Sequence, residues 1–431
     1  MKTFIIGNNS LSGTIPPELY LWGTSIETFA VGLNALVGSL PTVLSEWTSI
    51  RIFDVNNNQL SGSLPGELGS GTLPAQFSSW TRLNTFDVSN NILAGSLPPS
   101  YAAWGQGMTF ILVASNRLSG TLPPQFSALI TLTDFVASNN SLSGTLPPAF
   151  QSLTTLVNFY VDSNPNIEGT LPPEYSAWTA LRIFYAQFTA ISGTLPSSYA
   201  SWVALKQFQV YSARLTGTLP AVYSRWKVLV LDQLVVHNNS LSSTLPAEYG
   251  VLRIASYISL RNNHFTGTIP ASWGGMTDLR HLQLTSNSLT GTIPQSLMNI
   301  QFLTTISVGF NSLTGQVPVP NVSNPSMALL SLIDVQNNPQ ITAALPTKQQ
   351  IWATCYTAIP CTSTLLPYKL CFPRDFDFNQ LLGLSNLQTL LGEFFYDCLH
   401  PPATPAPSPL PQCCCCRAAR NERNLEKSKH A

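Results

Sequence analysis

An apolar residue followed by proline returns along this chain at Pro16, Pro41, Pro65, Pro74, Pro98, Pro123, Pro147, Pro172, Pro196, Pro220, Pro246, Pro270, Pro294, Pro318 and Pro346. Most steps are 24 or 25 residues; the exceptions are 9 (Pro65 to Pro74), 26 and 28. Such a period excludes an ordinary globular domain, whose elements differ from one another. It points to a solenoid, in which each unit buries its apolar face only against its neighbours. The step from Pro65 to Pro98 is 33, that is 24 plus 9, so GSLPGELGS followed by GTLPAQFSS reads as a short duplication inside one unit. Fourteen units, the first incomplete, then cover residues 1–352.

One unit reads LNTFDVSNNILAGSLPPSYAAW (83–104). Its LxxFxVxxNxL pattern is that of a leucine-rich repeat, a class with periods of about 20–29 residues. Alternation in the strand sends Phe86 and Val88 inward and Asp87 towards solvent, and successive strands lie ~4.8 Å apart. The expected fold is therefore an α/β repeat solenoid: a parallel concave sheet backed by an irregular or 3-10 convex side. Three residues after the inward Val stands an Asn, at 9, 34, 58, 91, 116, 140, 164, 239, 263, 287, 311 and 338. A side-chain amide both donates and accepts, so Asn34, Asn58, Asn91, Asn116, Asn140, Asn239, Asn263, Asn287 and Asn311 are expected to satisfy buried backbone groups between repeats. Thr189 and Ala213 interrupt that ladder; Thr replaces part of an amide's bonding, Ala none.

Thirteen of the fifteen apolar–Pro sites carry Gly three residues earlier, the exceptions being Ser243 and Ala343. That spacing calls for a tight turn with unusual φ. The proline then marks the convex side, where strand pairing is not expected to continue. Aromatics keep the same register. Trp22, Trp47, Trp80, Trp104, Trp178, Trp202, Trp226 and Trp352 follow their prolines by six residues, and Phe or Tyr, or Trp273, by three. Columns that recur in every unit are expected to fill the core rather than to form a ligand ladder.

The stretches LSGTLPPQFSALITLTDF (118–135) and EGTLPPEYSAWTALRIF (168–184) resemble the leucine-rich-repeat surface antigens of trypanosomatid and related kinetoplastid protozoa, the promastigote surface antigen group. LTGTIPQSLMNIQFLTTISVGFNSLTGQVP (289–318) is similar to plant receptor-type ectodomains and polygalacturonase-inhibiting proteins, whose repeats read LxGxIP. Both resemblances cover the repeat array. They imply a secreted or surface-anchored binding protein.

Neither a signal peptide nor an uninterrupted apolar stretch of about 20 residues is visible in the sequence. MKTFIIGNNSLSGTIP enters a repeat part-way. Either the array starts uncapped, or further repeats and a signal peptide precede it; the second is the expectation, and with it a cell-surface or extracellular location. At the other end, Cys355, Cys361, Cys371 and Cys398 fall within residues 353–399. They suggest a disulfide-stapled C-terminal cap in one of three connectivities; a Zn site is the alternative. In residues 400–431, PPATPAPSPLP reads as an extended linker. It leads to Cys413, Cys414, Cys415 and Cys416 and a basic tail, which reads either as a lipid-anchored segment or as a disordered tail cross-linked by disulfides.

Charge narrows the function. Only 9% of residues are charged, 20 Lys+Arg against 20 Asp+Glu, which argues against nucleic acid as a partner. No nucleotide, metalloprotease or hydrolase motif appears, and no cofactor is implied. An enzyme is not expected. The expected function is recognition or adhesion, with a protein or glycan held on the concave face; an inhibitor of a secreted hydrolase and a passive surface coat are the alternatives. In repeats 7–12 the concave columns turn aromatic and polar. Tyr160, Asp162, Tyr185, Gln187, Gln209, Tyr211, His237, Tyr257 and Arg261 are the candidate contact residues, centred on Tyr185, Tyr211 and Tyr257. Asn8, Asn139, Asn238 and Asn321 lie in N-x-S/T sequons and are candidate glycosylation sites.

Overall fold

The computed structural model describes residues 1–61, 73–228, 231–318, 330 and 332–342. The candidate cap with Cys355, Cys361, Cys371 and Cys398, the tail with Cys413, Cys414, Cys415 and Cys416, and Asn321 lie outside the described residues.

A parallel sheet of 14 three-residue strands, from Thr3–Ile5 to Leu332–Asp334, stacks in chain order. Register is constant: Phe4 pairs with Phe29, Phe29 with Phe53 and Phe53 with Phe86. The Phe53–Phe86 pairing closes a single turn across the duplicated stretch, so the extra residues lengthen one repeat rather than adding another. Inward rings stack along the coil, Phe135 on Phe159 at 5.7 Å, Phe159 on Phe184 at 5.7 Å and Phe184 on Phe208 at 5.6 Å.

Opposite the sheet, short 3-10 turns such as Pro124–Ala128, Pro148–Ser152 and Pro173–Ala177 begin immediately after each apolar–Pro pair. Proline's ring fixes φ in the range that starts such a turn, and its missing N–H costs nothing there; Pro123, Pro147 and Pro172 have φ of −68°, −69° and −66°. The Tyr and Trp columns are buried between these turns and the sheet. Tyr175 stacks on Trp178 at 3.8 Å. Trp178 Nε1 donates to the Phe150 carbonyl at 2.8 Å, and the Tyr175 hydroxyl to the Pro147 carbonyl at 3.1 Å. Tyr199 and Trp202 repeat this pair of bonds to Pro172 and Tyr175. Burial pushes the Tyr175 and Tyr199 phenols well above their ordinary range. The aromatic columns thus fill the core and hydrogen-bond one coil to the next.

From Asn34 onward, each ladder Asn among the described residues bridges two repeats. Asn91 Nδ2 donates to Val88 and Ser89 of its own turn and to Val55 of the preceding one, at 3.0–3.1 Å. Its Oδ1 accepts the Leu60 N–H at 2.9 Å. Asn58, Asn116, Asn140, Asn263 and Asn311 make the same four bonds, and so do Asn34, Asn239 and Asn287. Thr189 keeps only the bond within its own turn, to the Ala186 carbonyl at 2.8 Å.

Three features differ from the sequence reading. Strand pairing does continue past the Asn. Segments such as Ser192–Thr194, Ser240–Thr244 and His264–Thr268 form a second parallel sheet of seven strands. Extended backbone, with Leu alternating inward, lets each segment pair with the next coil. The glycine before the Pro lies within this pairing, Gly193 opposite Leu215 and Gly267 opposite Leu289, with φ between 72° and 87° in the described repeats, and it also makes room. A Cβ on Gly144, Gly193, Gly217, Gly267 or Gly291 would stand 2.8 Å from the methyl of the preceding repeat's Thr. Last, the residue before every ladder position is left-handed, with φ of 48° to 56°, whether it is Asn57, Asn90, Ser115, Phe188 or Phe310.

Candidate partner-binding face

The strand positions that point away from the core form the concave face. In the first half of the coil this face is mostly small or apolar, with Ile5, Ala30, Leu112 and Val136 among its members, and carries Asp54 and Asp87. Asp54 and Asp87 pair in neighbouring strands, and Asn56 Nδ2 donates to Asp87 Oδ2 at 2.8 Å. Asp87 was expected to reach solvent; with Asn56 and Ser89 closing over its carboxylate, only 8% of it is exposed. Burial raises the Asp54 pKa, with a further push from Asp87.

From Asp134 onward the face turns aromatic. Tyr160 stacks on Tyr185 with ring centroids 4.8 Å apart, both rings half-buried. The Tyr185 hydroxyl donates to Gln207 Oε1. Tyr160 stands between two carboxylates. Asn158 Nδ2 donates to Asp134 Oδ1 at 2.6 Å, and Ser138 Oγ to Asp162 Oδ1 at 2.5 Å. Burial first, then Asp134 and Asp162, push the Tyr160 phenol up to about 12. Burial also raises Asp162.

Further along, the candidate residues sink into the face. Tyr211 is 2% exposed and Tyr257 6%. Gln187, Gln209, His237 and Arg261 are buried as well. The expectation placed these side chains as contact groups. Strands ~4.8 Å apart on an inward-curving face instead press long side chains onto one another. Tyr211 stacks on His237 at 4.3 Å, and Phe188 meets Tyr211 edge-on at 5.1 Å. Arg261 Nη2 lies 3.4 Å from His237 Nε2, and Ser259 Oγ lies 3.0 Å from Nδ1. A guanidinium only donates, so Nε2 accepts and Nδ1 carries the proton towards Ser259. The Ser259 and Tyr257 hydroxyls both donate to Gln283 Oε1, at 2.9 and 3.0 Å. Gln209 Nε2 donates to Gln233 Oε1 at 2.9 Å. These groups are buried in the strands that follow, and Tyr160, Asp162 and Tyr185 are the half-buried candidates beside them. His281, beside Tyr257, has its pKa lowered to about 4 by burial and by Arg280, so its ring is neutral at neutral pH.

Asp134 is a member that sequence reading passed over. Its signal was available: it holds the column before Phe135, one strand from Asn158. The sequons have a backbone origin. Asn8, Asn139 and Asn238 occupy the left-handed position, with φ of 53° to 55°, where Asn is favoured. The ladder Asn follows, and Ser comes next. Asn8 and Asn139 are exposed, whereas Asn238 is half-buried, donating to Ser212 and accepting from Asn262. Among the described residues, no helix is long and apolar enough to cross a membrane, and no three His, Cys, Asp or Glu side chains are grouped to hold a metal.

The Leucine Rich Repeat family model matches residues 49–70, 131–153, 256–276 and 278–300. No curated protein matches the chain. Solved structures do. PEPR1 in complex with AtPEP1 is 28% identical, with a TM-score of 0.71 over 80% of this chain and 45% of that one. The plant peptide hormone receptor RGFR1, in complex with RGF2, is 24% identical, with a TM-score of 0.71 over 80% of this chain and 52% of that one. A TDR receptor is 25% identical, with a TM-score of 0.62 over 80% of this chain and 67% of that one. The chain thus spans about half the length of the first two. It is a leucine-rich-repeat solenoid, and its fold is similar to that of plant leucine-rich-repeat receptor ectodomains.

Proposed function

We propose that this protein is a non-enzymatic recognition module, secreted or displayed at a cell surface, that holds an extended peptide or protein segment along its concave face near Tyr160 and Tyr185. The stacked Tyr160–Tyr185 pair carries this reading. Two large amphipathic rings stand half-exposed, stacked on one another with Tyr185 bonded to Gln207, so little side-chain entropy remains to be lost on binding. The similar receptor folds are solved with peptides, RGF2 and AtPEP1, which supports a peptide over a glycan. A hydrolase inhibitor or a passive coat would not need this preorganised pair. The test is selection of displayed random peptides on the purified chain. Tyr160→Ala with Tyr185→Ala should weaken the selected peptides at least tenfold and leave the thermal melt within a few degrees. Equal binding by the double variant sinks the reading. Tyr211→Ala is the wrong probe, because that ring is buried and its loss reports stability.

A second reading rests on the second sheet. Its outward positions carry hydroxyls in consecutive repeats: Thr216, Ser242, Thr266 and Thr290 in one rank, Thr194, Thr218, Thr244, Thr268 and Thr292 in the next. In the first rank Thr216, Ser242 and Thr290 donate to the preceding Gly carbonyl, of Gly193, Gly217 and Gly267, each at 3.3 Å. Methyls of Thr194, Thr244, Thr268 and Thr292 sit over the next repeat's Gly. A rigid hydroxyl grid, ~4.8 Å between strands and about 7 Å along them, has a spacing comparable to ordered water in ice. Under this reading the chain keeps ice crystals small during annealing, and Thr218→Lys with Thr268→Lys abolishes the effect. Crystal growth equal to that in an unrelated protein of the same concentration removes it.

A further inference from the structure

Resting on the reading of a secreted or displayed chain, we infer that Asn139 carries an N-linked glycan at the rim of the concave face, and that Asn262 closes the matching sequon of Asn238. The two sequons share their backbone and their motif. Asn139 and Asn238 both stand in the left-handed column, with φ of 54° and 53°. Each is followed by a ladder Asn and then by an exposed Ser, Ser141 or Ser240. Their neighbours in the column differ. Asn139 lies between Ser115 and Ser163 of the adjoining coils. It is exposed, and its Nδ2 makes one long contact, to Ser115 Oγ at 3.4 Å. The Ser163 hydroxyl turns to Asp162 Oδ2, at 3.3 Å. Asn238 lies between Ser212 and Asn262 and is half-buried. Its Nδ2 donates to Ser212 Oγ at 3.2 Å, and its Oδ1 accepts from Asn262 Nδ2 at 2.6 Å. Both sequons thus have Ser on one side, and the contrast reduces to Ser163 against Asn262.

Glycan transfer joins Asn Nδ2 to the anomeric carbon of an oligosaccharide. The bond from that carbon to a lipid diphosphate breaks, the diphosphate leaves with the electron pair, and Nδ2 gives up one proton to a base of the host transferase. The amide keeps one N–H. At Asn139 that N–H still faces Ser115 while the sugar projects into solvent, where glycans are carried. At Asn238 the sugar competes for the space that the amide shares with Asn262, and it breaks a bond between two coils. Transfer acts on the chain before it folds, so the fold serves as a filter on modified chains. The Asn139 glycan is rooted one coil from the candidate site. The Asn139 N–H donates to the Asp162 carbonyl at 3.0 Å, and Ser138 Oγ to Asp162 Oδ1 at 2.5 Å. A hydrophilic chain there walls the edge of the concave face at which the strands end, so a segment meets Tyr160 from the opposite edge.

The experiment is expression of the full chain behind a supplied signal peptide in a eukaryotic secretory host, with glycopeptide mass mapping of the secreted protein. Asn139 should be occupied at least about fivefold more often than Asn238. Ser141→Ala should remove the Asn139 glycan and leave the thermal melt within a few degrees. Asn262→Ser gives Asn238 the neighbours that Asn139 has, and should raise occupancy at Asn238 at least about threefold. The inference is overturned by secreted protein with Asn139 unmodified, by Asn238 occupied as fully as Asn139, or by unchanged Asn238 occupancy in Asn262→Ser. Each of these results leaves the secreted reading standing. Retention of the chain inside the host overturns the secreted reading and this inference together.

Discussion

Asn140→Ala will lower the unfolding free energy by about 3 kcal/mol, read as a drop in the urea midpoint. Asn140 donates to the Val113, Ala137 and Ser138 carbonyls at 3.0–3.2 Å and accepts the Leu118 N–H at 2.9 Å. Alanine leaves that buried N–H without a partner, at about 1–3 kcal/mol, and weakens the carbonyl bonds. The carbonyl losses are partial because the ladder shares acceptors. Val113 also receives Asn116, and Ala137 also receives Asn164. The contrast is Asn9, whose amide bonds only Ile6 and Gly7 of its own turn; Asn9→Ala should cost under about 1 kcal/mol. Amide exchange of Leu118 should accelerate in the first variant and not in the second. Equal, small losses at both positions would show that bonds between repeats contribute nothing, and the account of the ladder given above would fall.

Gly217→Ala should cost about 2–4 kcal/mol, for two separable reasons. The backbone at Gly217 has φ of +78°, and a Cβ there would stand 2.8 Å from the Thr194 methyl. A left-handed L-residue alone costs about 1–2 kcal/mol; crowding in a packed site adds about 1–3 kcal/mol. Gly13 isolates the first term, with φ of +87° and nothing within 4 Å. Gly13→Ala should therefore cost only about 1 kcal/mol. Adding Thr194→Ser to Gly217→Ala should recover the crowding part, because the clashing methyl is gone. Ser243 supplies the converse. It holds φ of +77° where other repeats carry Gly, so Ser243→Gly should stabilise by about 1 kcal/mol. A thermal melt of each variant decides the matter. If Gly13→Ala and Gly217→Ala cost the same, the threonine contact is irrelevant.

Much of this fold was legible because identical units meet identical neighbours. A Phe at one strand centre must face the Phe of the next coil, so the period alone implied the Phe53–Phe86 pairing despite the duplicated residues between them. The Asn positions were legible for the same reason. What escaped was everything set by the next coil's geometry. The glycine was read as a turn residue, yet the methyl of Thr194 or Thr268 fills the space where its Cβ would be. No count of residues within one repeat shows that contact. The left-handed position before each ladder residue was hidden because Asn, Ser, Leu and Phe all occupy it.

The candidate site shows the same division. Sequence columns group Tyr160, Asp162, Tyr185, Gln187 and Tyr211 on one face, since strand alternation decides facing. Depth on that face depends on curvature and on which neighbour leans over which. Tyr211 and His237 stack and sink, while Tyr160 and Tyr185 stack and stay half-exposed. By itself, then, the sequence determined the solenoid, its register and the membership of each face, because those follow from a period and from strand alternation. Only the tertiary structure decided which members of the face remain accessible, that a second sheet forms, and that the Asp134 and Asp162 carboxylates act on the Tyr160 phenol. Such facts depend on distances between side chains of different coils, and those are set when the coils pack.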